Sequence, residues 1–258
     1  MNIIPELHKK QYETTDFARH INNMDKGLWD YEKYYVDRYL NPCLRTLEIG
    51  TGGGRIAFAL ERHKGFTDVT AIDFVQGFIS EASRKAAFQK SSIKFLVGNV
   101  LDLSFDDETF DQIICFGVVL SHLPNRILRK KALTEAYRVL KPNGIMLIDA
   151  HNYLYGVRPK LVAFLMGALR LFSNPYRYEY NDLPRLGIGG KLDLFFFRPN
   201  KAQLHYYEPL ELAFDILSSG FSILEINFCK REIGQVLQSC HSYFTEAYLH
   251  VAAKKILV

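Results

Sequence analysis

Three groups of residues in this chain have types and spacings that could do chemistry. The first is a glycine run, Gly50-Thr51-Gly52-Gly53-Gly54-Arg55, directly after Leu47-Glu48-Ile49. Glycine has no Cβ, so a ligand can come close to the backbone of such a turn. A helix starting behind the turn adds free N–H groups and a partial positive charge. The second is Asp73, which closes the apolar Val69-Thr70-Ala71-Ile72 and lies 23 positions after Gly50. A carboxylate at that place can accept hydrogen bonds from both hydroxyls of a ribose; the plainer alternative is a helix cap for Gln76 onward. The third is His122, in Gly117-Val118-Val119-Leu120-Ser121-His122-Leu123. An imidazole with an unperturbed pKa of about 6.5 suits proton removal at neutral pH, whereas packing or capping beside Pro124 is the structural alternative. Together the glycine turn and Asp73 predict a nucleoside cofactor.

These residues need elements to hold them. The pattern from Leu44 alternates strand and helix. Strands are expected at 44–49, 69–72, 93–97, 110–116 and 145–149, and helices at 55–64, 76–88 and 130–140. Ile56, Ala59 and Leu60 fall at helix spacing, and Gly65 supplies a stop. The strand at 110–116 is almost wholly apolar, as a strand buried on both faces should be. Lys141-Pro142-Asn143-Gly144 predicts a turn before the fifth strand. A further helix is expected at 209–219, with Gly220 just past its end, and strands at 221–227 and 248–256. Such alternation implies an α/β fold with a doubly wound, mostly parallel sheet covered on both faces. The reading is of one domain over 1–258. Residues 1–40 form a helical cap, 41–150 the cofactor-binding core, 151–207 an insertion over the sheet's C-terminal edge, and 208–258 the rest of the sheet.

Composition narrows the classes. The chain has 258 residues, 48% of them hydrophobic, which is ordinary for a globular protein able to bury a sizeable core. Its formal charge of +4 is spread along the sequence, which disfavours a nucleic-acid partner. The cysteines, Cys43, Cys115, Cys229 and Cys240, form no CxxC pair, so no metal site is expected. No signal-type segment opens the sequence. The longest apolar run, Leu161 to Leu169, is shorter than the roughly 20 residues of a membrane span. A cytoplasmic protein without a spanning segment is the expectation. Leu161–Leu169 leaves peripheral contact with a lipid surface as an alternative to burial.

Two cofactor classes use a glycine turn followed by a strand-end acid. A nicotinamide dinucleotide fingerprint requires a sixth-position glycine, and that position is Arg55. The turn, with Glu48 before it, resembles instead the first motif of the class I S-adenosylmethionine-dependent methyltransferases. Further segments resemble the same family in order and spacing. They are Asp73-Phe74, Gly98-Asn99-Val100, Phe110-Asp111-Gln112-Ile113-Ile114, and the run from Glu135 to Gly144 ending in Lys141-Pro142-Asn143-Gly144. Glu208-Pro209 onward to Gly220-Phe221 resembles its later helix and strand. The resemblance covers about residues 40–150 well and 203–256 loosely. It implies a seven-stranded Rossmann-like methyltransferase fold with S-adenosylmethionine as cofactor. Glu48, Gly50, Thr51, Gly52 and Gly54 are implied around the methionine part and Asp73 on the ribose. Phe74, Asn99 and Val100 are implied around adenine, with Phe116 and Gly117 also lining the site. Asn99 departs from the family's usual Asp, although its amide oxygen can still accept from an adenine amino group.

Methyl transfer from a sulfonium needs mainly proximity and alignment, with a base only where the nucleophile must lose a proton. His122 is the candidate base. Cys115-Phe116-Gly117-Val118 lacks the Asn/Asp-Pro-Pro pattern of many enzymes that methylate amino groups in nucleic acids and proteins. Phe195, Phe196 and Phe197, with Tyr176, Tyr178 and Tyr180, would suit a small apolar acceptor within the insertion. The N-terminal aromatics, among them Tyr12, Phe17 and Trp29, could close over the cofactor or pack the core. The expectation is a methyltransferase acting on a small, hydrophobic molecule. The competing classes are a non-catalytic binder of the same cofactor, an RNA methyltransferase, and an NAD(P)-dependent oxidoreductase.

Overall fold

The computed structural model describes residues 17–123, 125–152, 205, 207, 209–229, 236–237 and 248–256. In chain order the elements are α1 (Phe17–Asn22), α2 (Asp30–Tyr39), β1 (Thr46–Ile49), α3 (Arg55–Lys64), β2 (Val69–Asp73), α4 (Gln76–Gln89), β3 (Lys94–Val97) and β4 (Phe110–Cys115). A 3₁₀ turn (Val119–His122) follows, then α5 (Arg126–Val139), β5 (Leu140–His151), α6 (Pro209–Leu217), β6 (Phe221–Cys229), the two-residue β7 (Val236–Leu237) and β8 (Tyr248–Lys255). The sheet order is β3-β2-β1-β4-β5-β8-β6-β7. The pairings from β3 to β5 are parallel, and β8 runs antiparallel between β5 and β6. It is the expected doubly wound seven-stranded sheet, extended at one edge by β7.

The central strands read as buried segments because helices cover both faces. Every residue of β1 and β2 is buried. Side chains then alternate between two cores. Ile113 and Ile148 face Ala132, Leu133 and Ile216 of α5 and α6. Ile114 and Leu147 face Tyr35, Phe58 and Ile79 of α2, α3 and α4. β1 lies between β2 and β4, so the chain winds away in opposite directions from its two flanks. The crevice at the carboxyl ends of β1 and β4 is where such a sheet binds ligands.

Three sequence expectations need correction. The helical stretch to residue 40 is two helices, separated around Gly27, whose φ is +74°. The helix expected from Lys130 starts four residues earlier, because the Asn125 side chain accepts from Leu128 N at 2.9 Å and caps it. Lys141-Pro142-Asn143-Gly144 does not separate a helix from a later strand but forms a bulge inside β5. Between the pairs Phe110↔Leu140 and Gln112↔Ile145 the ladder shifts register, and Asn143 takes a φ of +64°. The body of the expected insertion lies outside the described residues. Its roots are described: Asn152 bridges Tyr207, whose N–H donates to His151 O at 2.8 Å. No helix among the described residues is long and apolar enough to cross a membrane.

One ion pair fixes the N-terminal helices on the glycine turn. Arg55, the first residue of α3, donates to both carboxylate oxygens of Glu32 at 2.7 and 2.5 Å and to Gly27 O at 2.7 Å. Glu32 is fully buried and also accepts from Trp29 N, which starts α2. Removing one partner of a buried pair leaves the other charge uncompensated, at a cost of about 3–5 kcal/mol. Arg55→Met is therefore expected to lower unfolding stability in urea by about 3 kcal/mol. A loss comparable to that of an exposed pair, below about 1 kcal/mol, would show that the pair does not hold α2 in place.

Candidate cofactor and acceptor site

The glycine turn is tied to β2 rather than to its own strand. Gly50 N and Thr51 N both donate to Ile72 O at 2.9 Å. Gly52 N donates to Asp73 Oδ2 at 2.8 Å, and Asp73 Oδ1 accepts from Val75 N at 3.0 Å. Asp73 thus braces the turn while remaining on the wall of the cleft. Burial raises its pKa, opposed by those backbone hydrogen bonds. Behind the turn, the Thr51 hydroxyl donates to Glu48 Oε2 at 2.8 Å. Glu48 is buried, which pushes its carboxyl up to about 7.

Gly50 is required by its surroundings. Its φ is +78°, and a Cβ there would meet Val119 Cγ2 at 2.3 Å. Gly54 likewise has a positive φ, +88°, and a Cβ there would stand 2.9 Å from the Phe95 ring.

In front of the turn lies a cleft with two lobes. The larger encloses about 760 Å³, open solvent included, between Ile49, Gly50, Ile72, Asp73 and Phe74 on one side and Gly98, Asn99, Val100 and Leu101 beyond. Val119, His122, Leu123 and Leu128 complete its lining. The smaller lobe is formed by His20, Gly50, Gly52, Asp73, Phe74, Phe78, Gly117, Val119 and His122.

Of the residues expected from sequence, Gly50, Gly52, Asp73, Phe74, Asn99, Val100, Gly117 and His122 come together on this cleft. Glu48, Thr51, Gly54 and Phe116 line neither lobe. Glu48 supports the turn from behind, and Thr51 and Gly54 are part of the turn itself. The Phe116 ring is buried beside His250, with centroids 6.2 Å apart. The Asn99 amide oxygen, expected on an adenine amino group, accepts from Leu101 N at 3.0 Å and shapes the local turn. His122 Nδ1 lies 2.9 Å from Val118 O. A carbonyl only accepts, so Nδ1 carries the proton and Nε2 is the basic atom of the neutral ring.

Sequence reasoning missed His20, Phe78 and Val119. It also missed the roots of the insertion, where His205 N donates to Ser121 O at 2.6 Å and His151 N to Ser121 Oγ at 3.1 Å. Buried Arg129 joins Leu123 O to Glu211, which also binds His205 Nε2 at 2.8 Å. The insertion therefore leaves and re-enters the fold beside His122. The aromatic residues expected there, from Tyr176 to Phe197, and the run Leu161–Leu169 lie outside the described residues, as does Tyr12.

The fold, the crevice and the braced turn define an α/β nucleoside-cofactor protein of the methyltransferase type. Residues 46–144 match the family profile described as methyltransferase domain. A demethylmenaquinone methyltransferase of Deinococcus radiodurans is 29% identical over 181 residues, 69% of this chain and 67% of that protein. A ubiquinone/menaquinone biosynthesis C-methyltransferase of Ruegeria sp. is 28% identical over 159 residues, 60% of this chain and 57% of that protein. The chain thus matches little more than half the length of the second relative. A SAM-dependent methyltransferase structure from Methanosarcina mazei shares the fold with a TM-score of 0.62 at 22% identity, covering 86% of this chain and 97% of that one. Residues 46–144 thus match a methyltransferase domain, and the fold is shared with a methyltransferase named as S-adenosylmethionine-dependent.

The Glu48 shift has a measurable consequence. Its folded pKa, about 7, lies above the ordinary 4.5. The folded state therefore holds a proton that the unfolded chain releases, and this group's contribution to stability falls as pH rises through that window. Glu48→Gln keeps an oxygen for the Thr51 hydroxyl and removes the titration. The variant is expected to gain on the wild type between pH 5 and pH 8, by up to roughly 3 kcal/mol. A constant difference across that range in denaturant titrations would contradict burial as the cause.

Proposed function

We propose that the protein transfers a methyl group from S-adenosylmethionine to a small apolar acceptor, with a reduced quinone ring as the acceptor class to test first. The observation that carries this reading is the cleft lining, which combines glycine backbone and the Asp73 carboxylate with the apolar side chains of Val119, Leu123 and Leu128 around His122. Gly50, Gly52 and Gly117 would hold the methionine part, Asp73 the ribose, and Phe74, Asn99 and Val100 the adenine. When bound, S-adenosylmethionine supplies a methyl group on a positively charged sulfur that is already activated for displacement. The chain's task is then to align an acceptor against it and exclude water. An apolar wall suits a ring with little charge. His122, with Nδ1–H held by Val118 O, presents Nε2 to take a proton from a hydroxyl or an activated ring carbon. The names of the Deinococcus and Ruegeria relatives support a quinone-type acceptor.

Two measurements test this reading. In calorimetric titration the wild type is expected to bind S-adenosylmethionine and S-adenosylhomocysteine, and Asp73→Asn to bind both about 10- to 100-fold more weakly, the range for a lost hydrogen bond to a charged group. Undiminished binding by a folded Asp73→Asn would remove Asp73 from the ribose site. With reduced naphthoquinones and benzoquinones as acceptors, His122→Gln is expected to lower turnover by about 100-fold while S-adenosylhomocysteine affinity holds. Tight cofactor binding with no methylated product from these or a broad set of small acceptors would instead favour a non-catalytic binder.

A further inference from the structure

The loop after β4 has an unusual backbone. Gly117 and Val118 both take left-handed conformations, with φ of +87° and +57°. For Gly117 this is unremarkable. For a β-branched residue it is strained, and such strain persists only where neighbours enforce it. The N–H groups of both residues are directed at strand β5.

An acid on that strand takes both. Asp149, near the end of β5, accepts from Val118 N at 2.6 Å through Oδ1 and from Gly117 N at 3.2 Å through Oδ2. It is 1% exposed and lines neither lobe of the cleft. On its far side stands His250 of β8, with Nε2 3.9 Å away and neither ring nitrogen hydrogen-bonded. Burial holds that ring neutral, lowering its pKa to about 3, and raises Asp149 to about 7. The two loop N–H groups are therefore the direct donors to this carboxylate. Val118, fixed in this way, presents its carbonyl to His122 Nδ1 at 2.9 Å and caps the 3₁₀ turn whose first residue, Val119, faces Gly50.

We propose that Asp149 is a positioning residue: by clamping the Gly117 and Val118 N–H groups it sets the tautomer and orientation of His122 and the wall that Val119 makes against the glycine turn. This rests on the reading of the cleft as a methyl-transfer site. It adds a residue that touches neither cofactor nor acceptor and acts through the loop. The adjacent elements explain why the clamp needs a carboxylate. Two diverging N–H groups require two acceptor oxygens, and an amide has only one.

The test is the imidazole of His122, read by nitrogen and carbon NMR shifts in wild type, Asp149→Asn and Asp149→Leu, with S-adenosylhomocysteine binding measured on each. The wild type is expected to show a single Nδ1–H tautomer. Either variant that folds is expected to lose it, giving a mixture of tautomers. A folded variant in which His122 keeps its wild-type tautomer would overturn the proposal. If neither variant folds, the wild type decides: a coupling through the hydrogen bond between Val118 nitrogen and the Asp149 carboxyl carbon is expected, and its absence would overturn the clamp. Failure of the wild type to bind S-adenosylhomocysteine would sink the methyltransferase reading alone, because the tautomer measurement needs no ligand.

Discussion

A carboxylate buried at the end of a strand is tolerated only where something donates to it, and this protein depends on three such groups. Glu48 lies next to the end of β1 and takes the Thr51 hydroxyl. Asp73 ends β2 and takes Gly52 N of the β1 turn and Val75 N. Asp149 lies near the end of β5 and takes the two N–H groups of the β4 loop. Each acid braces a loop on the same edge of the sheet, and two of them brace the loop of a neighbouring strand. The cleft is where these loops meet, so its shape is set by hydrogen bonds that cross between strands. Placing a ligand group such as Asp73 within that brace gives it a fixed direction before any ligand arrives, the condition under which positioning contributes most to a displacement reaction.

The parts of the site that could be read from the sequence are those set by short, local spacing. The glycine turn and Asp73 are such features because a strand, a turn, a helix and a second strand have nearly fixed lengths. Their meeting at the cleft follows from the parallel register Ile49↔Ile72. Asp149 could not be read in that way. Its role arises from the register of β4 on β5, with Cys115 opposite Ile148, and from a left-handed valine that no residue pattern announces. The ion pair of Arg55 with Glu32 is also invisible locally. By spacing Arg55 breaks a dinucleotide fingerprint, and the structure gives it a second task, anchoring the N-terminal segment across the turn. Asn99 and Phe116 show the opposite case. Their positions match the motifs, but local hydrogen bonding and packing turn the amide oxygen and the ring to other partners.

The acceptor side is less legible for a physical reason. An apolar wall of Val119, Leu123 and Leu128 specifies shape and dryness, not chemical identity, and hydrophobic pockets discriminate weakly between similar ligands. The insertion contributes its roots here: Ser121, His151, His205 and Tyr207 knit its two ends to the His122 loop. Buried Arg129 extends that knit through Leu123 O to Glu211 on α6. A change in the insertion therefore has a hydrogen-bonded route to the residue proposed to move the proton, while the cofactor side is braced separately through β1 and β2.

The most direct test of the account is a crystal structure of the protein with S-adenosylhomocysteine. The account requires the ribose hydroxyls on Asp73, the adenine between Phe74 and the Asn99–Val100 turn, and the sulfur pointing towards His122 and the apolar wall. Density for the ligand elsewhere, or in the cleft with Asp73 still bonded only to Gly52 and Val75 and untouched by the ribose, would contradict it.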